Sequence, residues 1–288
     1  MARGEYVIFL DGDDGIEKES LARIAAGINA RPGADMYPCA IKAYNDATGK
    51  SEIRDNYAKN SPAEMNGIEA TLEIDRLWGG PFCPMLQLTV FRREFLVEHG
   101  LKCVYGLRRQ DSEFSPRALY CAKRVVPLHE IYYLYRIHAN SVSNASKDPG
   151  RFHKDWAIIN KSLFAFYAKV SREPDFDPRV ASCWVRQWIP RMNTMWFYPT
   201  AMDQISRQRR VETLQDLFSD GFGNFDSLMR YANFTKRFLG WFLRIFVRRP
   251  ALRWLAESFF RFYYTVCKLR ERKNASFRTP VGTDSLAE

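Results

Sequence analysis

Three carboxylates stand within four residues at Asp11-Gly12-Asp13-Asp14. Like charges this close repel, so a fold that keeps them together supplies a cation or a set of hydrogen-bond donors. An all-oxygen set of this density suits Mg²⁺ or Mn²⁺ rather than zinc. The plainer alternative is a solvated acidic turn capping the next helix. The preceding run Tyr6-Val7-Ile8-Phe9-Leu10 favours the cation, because it reads as a strand buried on both faces. The acids then sit at its carboxyl end, where open parallel α/β sheets bind ligands. A Ca²⁺ EF-hand loop is excluded, since Gly15 and Ile16 stand where a third acidic ligand and the invariant glycine belong. Gly15 equally removes the hydroxyl that a phosphatase-type DxDx[TV] nucleophile loop needs.

Two other polar stretches flank predicted elements. Arg108-Arg109-Gln110-Asp111-Ser112-Glu113-Phe114 leads into a helix with Phe114, Ala118, Leu119 and Ala122 on one face. Arg136-Ile137-His138-Ala139-Asn140-Ser141 is a polar loop leaving a strand over Ile131 to Tyr135. The elements that must position these residues follow in order. Leu21, Ile24, Ala25 and Ile28 recur at helical spacing, closed by Arg31-Pro32-Gly33. Met36 to Tyr44 and Ser51 to Arg54 read as strands around a turn at 45–49. Ser61-Pro62-Ala63-Glu64 reads as a capping box that starts a helix toward Leu77. Trp78 and the Gly79-Gly80 loop that follows read either as an acceptor platform or as a core tryptophan with its turn. A strand over Leu86 to Phe91, a short helix from Arg93 to Gly100 and a strand over Val125 to Leu128 complete this part. From about residue 151 the pattern becomes helical: Phe152 to Val170, Val180 to Tyr198, Val211 to Phe218, and two basic aromatic helices after Ser227. Ser171 to Pro178 reads as a hinge.

With 288 residues and 46% hydrophobic content the chain can bury a sizeable core. Six scattered cysteines, with no CxxC, point to free thiols in a reducing compartment. The start Met1-Ala-Arg-Gly-Glu runs straight into a strand, so no signal peptide is expected, and no spanning helix either. The net charge is +10, and residues after 200 hold sixteen Lys/Arg against nine Asp/Glu. That basic surface suits nucleic acid, anionic membrane or phosphorylated ligand alike.

At this point the residues resemble a known family, the inverting family-2 glycosyltransferases of GT-A fold. Three motifs stand in the family's order between Gly4 and Ser143: GEYVIFLDGDD, RRQDSEF and YYLYRIHANSVS. The resemblance implies an α/β fold with a GT-A-like (Rossmann-like) mixed sheet over residues 1–150 and an α-helical C-terminal region over 151–288. It also implies an N-terminally truncated catalytic domain, because family members begin with a VSVIIPxYN strand and further βα units, whereas here the DXD strand begins at residue 6. The chain is accordingly read as a fragment, a wrongly started gene model or a decayed gene.

The resemblance assigns roles residue by residue. Asp11 and Asp13 match the DXD carboxylates that hold Mn²⁺ or Mg²⁺ against the donor diphosphate. Asp111 matches the base that deprotonates the acceptor hydroxyl, although Gln110 stands where the family usually has Glu. Arg136, His138 and Ser141 match a loop over the diphosphate, and His138 is also a candidate metal ligand. The expected donor is a nucleotide-diphosphate sugar, a UDP-sugar first, and the acceptor a saccharide or lipid-linked glycan. The alternative is an inactive remnant serving as a membrane-surface or protein-binding module.

The C-terminal helices favour a membrane. Phe234, Phe238, Trp241, Phe242, Ile245 and Phe246 fall on one broad helical face, bordered by Arg237, Arg244 and Arg248. Packing on the catalytic domain would use the same face. Aromatic bulk bordered by arginine is also what an interfacial helix needs. The expectation is a cytoplasmic protein, peripheral on the inner face of the plasma membrane. Nucleic-acid binding is disfavoured, since Arg207, Arg209, Arg210, Arg244, Arg248 and Arg249 come with no recognisable motif.

Overall fold

The computed structural model describes residues 2–78, 85–138, 149–197 and 205–277. Its first half is mixed α/β with mixed sheets and its second half is helical, as expected, but the strand before the acidic loop does not lie in a parallel sheet. Strand β1 (Tyr6–Val7) pairs antiparallel with β6 (Thr89–Arg92), which pairs antiparallel with β3 (Met36–Pro38). A second sheet has the order β2-β7-β4-β5, built from Gly15–Ile16, Ile131–Ile137, Ala40–Asn45 and Ser51–Arg54. Among the described residues only its β4–β7 pair is parallel.

The acidic loop therefore follows an edge strand, not a central one. Tyr6 to Phe9 are half-buried and Leu10 is exposed, which corrects the expectation of burial on both faces. The apolar run is explained instead by single contacts. Tyr6 packs edge-on against Tyr37, and Phe9 against Phe91 and Phe114.

Helix α1 (Ser20–Ala30) buries Ile24 and Ile28 on the spacing read from sequence. The β4–β5 hairpin turns through Asn45, whose side-chain oxygen accepts from the N–H groups of Ala47 and Thr48, and through Gly49 at φ 68°. Helix α2 (Gly67–Trp78) begins later than the Ser61 motif suggests. The capping box is Asn66 with Glu69: Asn66 N–H donates to Glu69 Oε2 at 2.8 Å, and Glu69 N–H to Asn66 Oδ1 at 2.9 Å. Ser61 instead donates its hydroxyl to Glu73 Oε1 at 2.7 Å. Gly67 lets α2 touch α4 (Asp111–Cys121), because a Cβ there would lie 1.6 Å from the Leu119 carbonyl oxygen. Residues 86–88 form a 3₁₀ turn ahead of β6, and α3 (Arg93–Glu98) ends toward Gly100 at φ 58°. Val125 makes only isolated bridges, to Met36 and Met65, so the strand expected over Val125 to Leu128 does not form.

The helical half comprises α5 (Pro149–Val170), α6 (Pro178–Phe197), α7 (Arg207–Leu217), α8 (Gly223–Met229), α9 (Phe234–Arg248) and α10 (Arg253–Phe277). Residues 171–177 join α5 to α6. A core rich in aromatics, including Phe164, Trp184, Phe197, Phe225, Phe246 and Phe260, fills the bundle. Buried Glu257 of α10 accepts from Arg210 and Arg207 of α7 at 2.5 Å each, which leaves that acid no uncompensated charge. Polar contacts also tie the two halves together. Ser162 on α5 donates to buried Glu113 of α4 at 2.6 Å, and Arg186 of α6 pairs with Asp75 of α2. Among the described residues no helix is long and apolar enough to cross a membrane.

Candidate functional site

The acidic loop, the start of α4 and the end of β7 meet at one end of the first half. An aromatic triangle explains why. Phe9, two residues before Asp11, Phe114, three residues after Asp111, and Phe91 on β6 stand 5.7 to 5.9 Å apart, edge to face. Phe91 and Phe114 are fully buried, so the segment after β1 and the start of α4 are clamped together below the acids. Asp111 then lies near enough that its charge raises the affinity of Asp11 for a proton.

Each acid has a distinct environment. Asp11 is exposed, and its Oδ2 accepts from Gln87 Nε2 at 2.7 Å. Its carboxyl is pushed up by desolvation first, then by Asp14 and Asp13, with Gln87 opposing. Asp13 Oδ2 lies 2.9 Å from His138 Nε2, and that hydrogen bond holds the Asp13 carboxyl below the usual range. Asp14 faces the protein. Its Oδ2 accepts from the Tyr133 hydroxyl at 2.5 Å and its Oδ1 from the Arg136 N–H at 2.8 Å. The same Tyr133 oxygen accepts from Asp11 N–H at 3.2 Å, so one phenol ties down two acids of the loop. Burial and the bond to Asp14 push the Tyr133 hydroxyl up, which keeps it a donor.

Asp111 opens α4, with Oδ1 accepting from Ser112 N–H at 2.8 Å. Desolvation pushes its carboxyl up, opposed by hydrogen bonding to Ser112 and the charge of Arg109. A carboxylate raised in this way binds a proton more strongly, which suits a general base. Arg109, two residues earlier, sits in the left-handed region at φ 56°, a costly conformation for a residue with a Cβ. Gln110 is exposed at the helix start. The second acid of that motif, Glu113, is buried against Arg117 and Ser162 and belongs to the packing of α4.

Arg136 follows a different course from a free phosphate ligand: its Nε donates to Asp46 Oδ2 at 2.8 Å. Ser141 lies outside the described residues, as do Gly79, Gly80 and the side chain of Trp78. Sequence reasoning missed Gln87 and Tyr133. Tyr133 carried no signal beyond the apolar run of β7, and Gln87 was hidden in a stretch read as strand.

Among the described residues no three of His, Cys, Asp and Glu converge closely enough to hold a metal ion. The donor set still fits a partial site. Asp11 and Asp13 keep carboxylate oxygens at the surface, and beyond the desolvation that chiefly raises Asp11, the repulsion from Asp14 and Asp13 is what a divalent cation relieves. Mg²⁺-type ions commonly take one or two carboxylates and complete their shell with substrate phosphate and water.

No family model matches the sequence. Over 149 residues the chain is 30% identical to a protein of Bacillus subtilis (strain 168) named "Putative glycosyltransferase EpsH". That match covers 49% of this chain and 40% of the relative. Two crystal structures, of S. aureus TarS and of S. aureus TarS 1-349, each give a TM-score of 0.49 at 18% identity. They cover 79% and 76% of this chain, and the matches span 36% and 56% of those chains. Over about half its length the chain is thus similar to a protein named as a glycosyltransferase, of which it spans 40%.

Proposed function

We propose that the chain is a family-2 type glycosyltransferase of GT-A-like fold, or the part of one that holds the donor diphosphate and the catalytic base. It moves a sugar from a nucleotide-diphosphate sugar, a UDP-sugar first, to a saccharide or lipid-linked glycan. The observation that carries this reading is the convergence of the Asp11–Asp13 loop, His138 and the raised carboxylate of Asp111 at one end of the fold.

In this reading Asp111 accepts the proton of the acceptor hydroxyl as that oxygen attacks the anomeric carbon and the bond to the diphosphate breaks, with inversion. His138, when protonated, donates to a diphosphate oxygen beside Asp13. Tyr133 and Gln87 hold the acidic loop in place while charge builds on the leaving group. Mn²⁺ or Mg²⁺ bound by Asp11 and Asp13 would offset that charge. An acceptor displayed on lipid also places the chain at the cytoplasmic face of a membrane.

Calorimetric titration of the purified chain tests the reading. Mn²⁺ alone binds weakly, and UDP with Mn²⁺ binds more tightly than either ligand alone. Asp13→Asn weakens the ternary complex at least about ten-fold, because one of two metal carboxylates is lost. Equal Mn²⁺–UDP binding by Asp13→Asn overturns the metal assignment. No nucleotide binding by the wild-type chain favours the non-catalytic alternative.

A further inference from the structure

The α9–α10 hairpin divides its apolar residues between two surroundings. Phe242, Ile245 and Phe246 turn inward and are buried, whereas Phe234, Phe238 and Trp241 project outward, 83%, 43% and 51% exposed. The one broad face read from sequence is therefore split. The outward rings stack in a row, with centroids 6.2 Å apart from Phe234 to Phe238 and 6.2 Å from Phe238 to Trp241. Phe238 also meets Phe259 of α10 at 5.4 Å. Leu255 and Phe262, one turn before and after Phe259 on the same helical stripe, extend this surface and are 39% and 69% exposed. A contiguous aromatic patch of this kind is what proteins reserve for a partner or a membrane.

Charge decides which. Residues 234–266 contain seven Lys/Arg and one acid, Glu257, and of the seven Arg244 is paired with Asp226 of α8. Glu257 is buried against Arg207 and Arg210, so it does not face the partner. Arg248 stands seven residues after Trp241 on the same stripe and lines a groove of about 530 Å³. Three arginines, Arg248, Arg249 and Arg253, line this groove together with Phe218, Phe222 and Val247, beside Gln215 and Pro250. Arg248 lies over the Phe222 ring at 4.8 Å and Arg253 donates to the Phe246 carbonyl at 2.9 Å, so both are held in place, while Arg249 is exposed.

We infer that this face docks on an anionic phospholipid bilayer, the aromatic row entering the headgroup boundary and the arginine groove receiving a lipid phosphate. The inference rests on the proposed function only for the placement of a lipid-linked acceptor. Vesicle binding is read without donor or acceptor, so the two fail separately.

The test is co-sedimentation of the full chain with vesicles of phosphatidylcholine alone or containing phosphatidylglycerol. Binding is expected to the anionic vesicles, about ten-fold or more above neutral ones, and to weaken as salt is raised. Arg249→Glu is expected to weaken binding at least about ten-fold, since two units of charge change at the surface. The double variant Phe234→Ser, Trp241→Ser is expected to do the same while leaving the melting temperature in place, because both side chains are outside the core. Should that variant fail to fold, Arg249→Glu and the salt dependence carry the test. Equal binding to neutral vesicles, or unchanged binding by Arg249→Glu, overturns the inference. So does a lipid-free dimer that Phe234→Ser dissociates, or a single-stranded oligonucleotide that binds the same face more tightly than vesicles.

Discussion

Removing a single oxygen at Tyr133 should loosen the acidic loop more than its small size suggests. The ring is fully buried and packs edge-on against Tyr132 at 5.9 Å, so Tyr133→Phe keeps the packing and deletes only the hydroxyl. Two bonds go with it: the 2.5 Å donation to the Asp14 carboxylate and the 3.2 Å acceptance from Asp11 N–H. A hydrogen bond to a charged group contributes roughly 1.5–3 kcal/mol and a neutral one roughly 0.5–1.5 kcal/mol. Asp11 is exposed and Asp14 half-buried, so water recovers part of the loss and the net cost is about 2 kcal/mol. For a chain of 288 residues that lowers the melting temperature by roughly 3–4 °C, read by circular dichroism. The same variant should weaken Mn²⁺-dependent UDP binding about ten-fold, because Asp11 and Asp14 lose a common tether. Tyr37→Phe is the control. Its buried hydroxyl also serves two backbone partners, donating to the Arg31 carbonyl at 2.7 Å and accepting from Ala34 N–H at 3.0 Å, at the end of α1. It should cost comparable stability and leave nucleotide binding unchanged. If both variants melt alike and bind UDP alike, the positioning role of Tyr133 is refuted.

In the proposed transferase restored to full length, Asp111→Asn should lower turnover about 10²–10⁴-fold with little change in donor affinity, the mark of losing the proposed general base. Its folded-state pKa is raised, so above the unfolded-state value the native chain holds the proton more tightly and stability falls as pH rises through the raised value. The amide removes that cost, and the variant should melt no lower than wild type at neutral pH; a lower melting temperature would mark Asp111 as structural. Gly67→Ala should destabilise by roughly 1–3 kcal/mol or more, because its Cβ meets backbone of α4 at 1.6 Å and nothing flexible can move aside. Gly12→Ala, whose Cβ meets nothing within 4 Å, should stay within about 0.5 kcal/mol of wild type in the same chemical denaturation series.

The helices were legible because their apolar residues recur every three or four positions, as Ile24 and Ile28 or Phe114 and Ala118 do. Strand context was not. Tyr6 to Phe9 form an apolar run whether the strand is central or at an edge, and only the partner strands decide. Two motifs competed for the start of α2, Ser61 with Glu64 and Asn66 with Glu69. The second won because Glu64 is engaged by Arg124 at 2.7 Å and Ser61 by Glu73. On α9, periodicity showed that a wide face is apolar, but not where the core ends. Phe242 is buried by Phe259, stacked on it at 3.7 Å, while Phe234 one turn earlier than Phe238 has solvent beside it. Periodicity reports a helix's own pattern, and burial also depends on what packs against it.

The same limit governs the acids, and it separates the residues that can bind a ligand from those that build the site. Six acids of the first half carry the same group but different surroundings: Asp11, Asp13, Asp14, Asp35, Asp111 and Glu113. Asp35 is buried and accepts from Arg92 at 2.6 Å and from the N–H groups of Lys123 and Arg124, so it fastens the end of α4 to β6. Glu113 does the same between α4 and α5. Asp14 spends its two oxygens on Tyr133 and the Arg136 backbone, which fixes the loop to β7. Asp11 and Asp13 are exposed, and each has one carboxylate oxygen held by a side chain, Gln87 and His138 respectively. Asp111 is half-buried with its proton affinity raised. The division follows from the number of protein donors each carboxylate already satisfies, and it leaves Asp11, Asp13 and Asp111 with the spare acceptor capacity that the proposed metal and base roles would use.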